Sequence, residues 1–163
     1  MNLARQTSRR LFEEHLAVIA LLERFGQALA RLEGPPPAGD PAWNLLLPQL
    51  VAAIEHEISG HFALEETQLF PLLRANGSGD LADLLLEEHA RIGDVSRPLL
   101  ELLKQARANN LNAAGWQSLR RLGLELVERL SAHAQMEQGS LVPLVDELLD
   151  EETDMEIWTE YTS

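Results

Sequence analysis

The chain of 163 residues contains no cysteine. Disulfides, thiolate clusters and cysteine nucleophiles are therefore excluded, and any metal must be held by nitrogen and oxygen. Aromatic residues make up only 5%. The apolar content is mostly Leu and Ala, with little Val, Ile or Tyr, a mix that favours helix over strand. Basic residues are scarce: 13 Lys and Arg stand against 26 Asp and Glu, for a formal net charge of −13. Without a basic face, a nucleic-acid partner is excluded. Long apolar runs are missing too. The longest early one, Leu16 to Leu22, is far below the roughly 20 residues of a membrane span. Glu13, Glu14 and His15 directly before it do not suit a secretory leader. The expectation is a cytoplasmic protein with one core and no membrane partner.

What is present is helical pattern broken at three places. Gly34-Pro35-Pro36-Pro37-Ala38-Gly39-Asp40-Pro41 cannot be crossed by a helix, and Asp40 and Pro41 read as the cap and first residue of a new one. Asn76-Gly77-Ser78-Gly79-Asp80 holds a terminating glycine and a new start, and Asn109-Asn110-Leu111-Asn112 is the third break. Between them lie helices over about 4–32, 42–75, 80–107 and 113–148. Their apolar stripes carry histidines: His15 with Leu11, Val18 and Leu22; His89 with Leu85 and Ile92; His133 with Leu126 and Leu130. Helices of this length joined by short loops predict an all-α, up-down-up-down four-helix bundle. Pro48 and Pro98 are expected to kink their helices, and Pro71 and Pro143 to force a bend or restart. The bundle is expected over 1–150. Beyond it, Glu151, Glu152, Asp154, Glu156 and Glu160, with no Lys or Arg among them, read as a solvated, frayed acidic tail over 151–163.

One word is written twice. His61-Phe62-Ala63-Leu64-Glu65 and the residues through Leu72 align without a gap on His133-Ala134-Gln135-Met136-Glu137 and the residues through Leu144. Upstream of each copy stands Glu-Glu-His, at Glu13-Glu14-His15 and Glu87-Glu88-His89. A lone core-facing histidine is usually structural; four in a duplicated frame, two with a glutamate one turn on, point to metal. On an α-helix, residues i and i+4 lie about 40° apart. His61 with Glu65, and His133 with Glu137, therefore face the same way. The candidate ligands are His15, His61, Glu65, His89, His133 and Glu137. If both glutamates bridge two ions, each ion receives two imidazole nitrogens and two carboxylate oxygens. A bridging oxide or hydroxide makes five donors and leaves one place open. This donor set suits iron or manganese, with zinc possible. Grouping by repeat puts His15 with His61 and His89 with His133, and a crossed arrangement is the alternative. His56, Glu14 and Glu88 read as surface or ligand-supporting residues, and Glu66 lies off the ligand face. Trp43, Trp116 and Trp158 read as too scattered for a ligand cage and as packing at helix ends.

This pattern resembles the hemerythrin-like, or HHE cation-binding, domains, and the resemblance runs from Leu11 to Leu144. It implies a non-haem di-iron centre that meets dioxygen, nitric oxide or peroxide. Oxygen-carrying members have a fifth histidine on the third helix, where this chain has Gly93 four residues after His89 and Leu85 four before it. Their second carboxylate is an aspartate five residues after its histidine; here Glu137 follows His133 by four. The four-His, two-Glu set is closer to bacterial iron–sulfur centre repair proteins, which carry an additional cysteine-bearing domain. Ferritin-like enzymes use E-x-x-H and fit less well. Three functions are consistent with the sequence. One is a di-iron protein that binds or senses a small oxidant or diatomic molecule, or holds labile iron. The second is a di-iron enzyme reducing peroxide or nitric oxide. The third is a zinc-bound or metal-free helical interaction module. A homodimer is compatible with each.

Overall fold

The computed structural model describes residues 2–163, and its helices begin and end where the sequence supplies the chemistry for it. Helix α1 spans Gln6–Ala30. After the proline-rich loop, the Asp40 carboxylate accepts from the Trp43 N–H and Pro41 opens α2, Pro41–His56. The same rod continues through a π-helical turn Glu57–His61, the short α3 Phe62–Leu64, a second π turn Glu65–Leu69, and α4 Phe70–Ala75. Gly77, at φ 84°, closes it. The Ser78 N–H then donates to the Leu73 carbonyl at 2.9 Å, satisfying a carbonyl the ending helix leaves free. Helix α5 covers Gly79–Arg107, α6 Ala113–Gly139, α7 Leu141–Leu148 and α8 Glu151–Thr162. No strand occurs among the described residues, and none of their helices is long and apolar enough to cross a membrane.

Around the bundle, α1 packs against α6 and α7, α6 against α5, and α5 against α2 and α4. This is the up-down-up-down arrangement that short connections dictate. Pro48 and Pro98 sit inside helices that run on through them. The repeated prolines do mark a change: the second π turn ends just before Phe70-Pro71, and α6 stops at Ser140 before α7 restarts ahead of Pro143.

The apolar core comes in two blocks. One is built around Leu22, Phe25, Leu50, Leu99 and Leu126, the other around Leu11, Leu69, Leu73, Leu85 and Leu141. Two of the four repeat histidines fall between them in sequence: His15 lies between Leu11 of one block and Val18 of the other, and His89 between Leu85 and Ile92. At the far end of the first block Trp43 and Trp116 meet edge to face, ring centroids 5.3 Å apart. Both stand in the first turns of their helices, α2 and α6, in keeping with packing at helix ends.

The acidic tail differs most from expectation. Residues 151–162 form α8, which packs along α1. The reason lies at the start of α1, where Arg5 offers no side-chain cap. A helix begins with N–H groups that need acceptors, at its electropositive end. Asp154 takes two of them, from Gln6 at 2.8 Å and Thr7 at 2.9 Å, and is itself buried. Asp146 takes those of Ala4 and Arg5, and the Arg5 guanidinium donates to the Leu149 carbonyl. The carboxylates are therefore acceptors for an uncapped helix, and the tail is ordered by them. Asp154→Ala should cost about 2–4 kcal/mol, since it strands buried donors, and lower Tm by roughly 5–15 °C. A thermal melt within 1 °C of the parent protein would refute this role.

Candidate metal centre

Between the two apolar blocks the repeats deliver six polar side chains into one layer. His15 comes from α1, His61 and Glu65 from the π-turned second rod, His89 from α5, and His133 and Glu137 from α6. His15, His61, Glu65 and Glu137 are fully buried, with His89 and His133 at 4% and 2% exposure. Two overlapping groups form: His15, His61, Glu65 and Glu137; and Glu65, His89, His133 and Glu137. Within each, one donor atom per residue lies within 4.8 Å of all the others.

Both glutamates belong to both groups. Glu65 Oε1 stands 3.4 Å from His61 Nε2 and 3.3 Å from His89 Nε2. Glu137 Oε1 stands 3.8 Å from His15 Nε2 and 2.5 Å from His133 Nε2. Both oxygens of each glutamate, and the Nε2 atoms of His89 and His133, are buried without a hydrogen-bond partner. Buried polar atoms are rarely left so. Their convergence, in an all-nitrogen and oxygen donor set, is what a cation would satisfy.

Three of the four outward-facing Nδ1 atoms are held by hydrogen bonds, and that of His89 is not. Glu14 accepts from His61 at 3.2 Å and Glu88 from His133 at 2.7 Å. Gln138 holds His15 at 3.1 Å, and Glu66 lies 3.4 Å from His89. Glu14, Glu88 and Gln138 are each the chain neighbour of one converging residue and brace a histidine on another rod. That fixes ring orientation and directs Nε2 inward. Glu66 belongs to neither group, in keeping with its place off the ligand face, and stands near His89 without bonding it.

The π turns set the places of two further residues. On an α-helix His56 would lie about 140° from His61. Here the Phe62 N–H bonds to Glu57 O, five residues back, which winds the rod less per residue. His56 and His61 consequently reach one carboxylate, Glu14, with His56 Nε2 at 2.8 Å. Glu57, four residues before His61, is also carried inside, where it is 4% exposed and its Oε1 has no partner. Its repeat counterpart is Arg129, so the duplication gave no hint of it.

Burial and mutual charge sort the protons. Burial and the nearby His61 charge pull His15 down to about 4. Burial with the His133 charge takes His89 to about 3. His61 is opposed by burial, but Glu57 and Glu14 push it up to about 9. His133 is likewise raised despite burial, through Glu137 and Glu88. Burial and the Glu137 charge raise Glu65, while Glu137 is held low in spite of burial by the neighbouring Glu65 carboxyl, His133 and His15. The 3.1 Å contact of His15 Nε2 with His61 Nε2 fits this distribution, with protonated His61 donating to neutral His15.

Two surface cavities approach the layer. One of about 350 Å3 is walled by Glu88, Arg91, Ile92, Arg129, His133 and Met136. The other, of about 360 Å3, touches Glu14, Val18, His56 and Glu57. Phe62 shields the centre from within, stacked on His89 with centroids 3.7 Å apart and planes at 5°.

No curated protein matches the chain. The model of the hemerythrin HHE cation binding domain matches residues 6–145, from the first residue of α1 into α7. That span holds all four rods and all six converging side chains, and the chain belongs to the hemerythrin HHE cation-binding domain family.

Proposed function

We propose that the chain is a carboxylate-bridged di-iron protein that binds or senses a small oxidant or diatomic molecule (dioxygen, nitric oxide or peroxide), or holds iron in releasable form. The observation that carries this reading is the sharing of Glu65 and Glu137 between two four-residue groups. His15 and His61 would hold one ion, His89 and His133 the other, with both glutamates between them. Four donors per ion leave room for an exogenous ligand. Bound iron would supply exchange of electrons with such a ligand. The protein orients the histidines through their Nδ1 partners, and Phe62 keeps bulk water off His89. The cavity at His133 gives a small molecule an approach.

Anaerobic purification should yield about two iron ions per chain, with an absorption spectrum that changes on adding nitric oxide. Metal far below that level, and no loss of it in His133→Ala, would sink the proposal. One observation favours a catalytic variant of it. Glu57 is a buried carboxyl raised by burial, beside the His15 and His61 group, and reduction of peroxide or nitric oxide consumes protons. Repeated turnover of added peroxide distinguishes this from binding of one equivalent.

Metal must displace protons to enter. At neutral pH His61, pushed up to about 9, keeps its proton, His133 and Glu65 are shifted in the same direction, and His15 and His89 are already neutral. His61 gives up its proton only near pH 9. Apparent zinc affinity should therefore rise with pH from about 6 to 9, by roughly tenfold per unit for each proton released. Titration calorimetry in buffers of different ionisation enthalpy counts those protons. A flat affinity with no proton release would contradict the assignment.

A further inference from the structure

The six converging residues obey the twofold repeat, but their supports do not. On the second side Glu88 braces His133 alone and remains 28% exposed. On the first side Glu14 is 12% exposed and is gripped from several directions. Its Oε1 accepts from the Tyr161 hydroxyl at 2.7 Å and from His61 Nδ1 at 3.2 Å. Its Oε2 accepts from His56 Nε2 at 2.8 Å and lies 3.4 Å from Arg10 Nε. The Tyr161 oxygen also stands 3.1 Å from His56 Nε2, which closes the ring of contacts. Gly60 makes this possible, because a Cβ there would lie 2.9 Å from His56 Nδ1. Tyr161 belongs to α8, beyond the residues that match the family model.

We propose that Tyr161 is a positioning residue for the metal centre: by anchoring Glu14 it fixes His61, so that the ion held by His15 and His61 leaves more slowly than the ion held by His89 and His133. The inference rests on the two-ion reading above. A carboxylate held by several donors cannot swing with its histidine, whereas Glu88, half open to the cavity at His133, can. The duplicated sequence thus yields two unequal positions, and a helix outside the repeat creates the inequality.

The test uses the full chain loaded with cobalt(II) and mixed with excess chelator, following loss of the cobalt absorption. The parent protein should release its ions in two phases. His15→Ala should abolish the slow phase and His89→Ala the fast one. Tyr161→Phe removes one hydroxyl from a half-buried ring, and should accelerate the slow phase roughly 10–100-fold, leaving the fast phase unchanged. Glu88→Gln should do the reverse. Ile157→Ala, which loosens the packing of α8 but keeps the hydroxyl, should accelerate the slow phase less than Tyr161→Phe. Two ions leaving in a single phase, or equal effects of Tyr161→Phe on both phases, would overturn this inference alone. Failure of the parent protein to hold two ions would overturn the di-iron reading and this one with it.

Discussion

Glu137→Ala is expected to cost the protein both metal ions, while His15→Ala costs one. The difference follows from which residues are shared. Glu137 Oε1 reaches His15 of one group and His133 of the other, and the carboxylate is a member of both. Removing it leaves each position with two imidazoles and one oxygen. The remaining charge of Glu65 then stands against two dications. Metal content should fall from about two per chain to well under one, given how strongly affinity depends on donor count. His15 serves one group only. Its loss should leave the His89 and His133 position close to intact, with about one ion retained. Elemental analysis after equilibrium dialysis compares the two variants. Retention of one tightly held ion by Glu137→Ala would mean that the glutamate does not bridge. Glu65→Ala should behave like Glu137→Ala, because the repeat makes them equivalent.

Chelation should lower Tm by roughly 15–30 °C. Each ion bound at about a thousandfold above its dissociation constant stabilises the native state by about 4 kcal/mol, and two by about 8. A chain of this size loses roughly 2–4 °C per kcal/mol. The metal-free layer has little to offset that loss. Glu65 and Glu137 have buried oxygens without partners, and His61 is buried with its proton. Replacing Glu65 by leucine should consequently make the metal-free protein more stable while removing its response to metal. Calorimetric scans with and without chelator read both effects. A chelator-induced shift below about 3 °C would show that metal is not part of what holds the layer together.

Much of this was legible in the sequence, for local reasons. Asp40-Pro41 and Gly77 end and begin helices through groups within a few residues, so their chemistry can be read directly. The six converging side chains were visible because duplication separated them from the many Glu and Leu of an ordinary bundle. What the sequence concealed depends on winding and on distant partners. A π turn shifts every angular relation across it, and α-helical spacing gave no sign of the buried Glu57. Asp154 looked like one acid in a solvated run. Its partners, the Gln6 and Thr7 N–H groups, lie at the opposite end of the chain.

The reach of α8 bears on where this molecule can be cut. A polypeptide ending at residue 145, the limit of the family match, would retain every converging histidine and glutamate. It would lose Asp146 and Asp154, which receive the first N–H groups of α1, together with the hydroxyl that steadies Glu14. Similarity marks the part of the chain that lines the centre, and the last helix marks how much chain is needed to keep that lining in place.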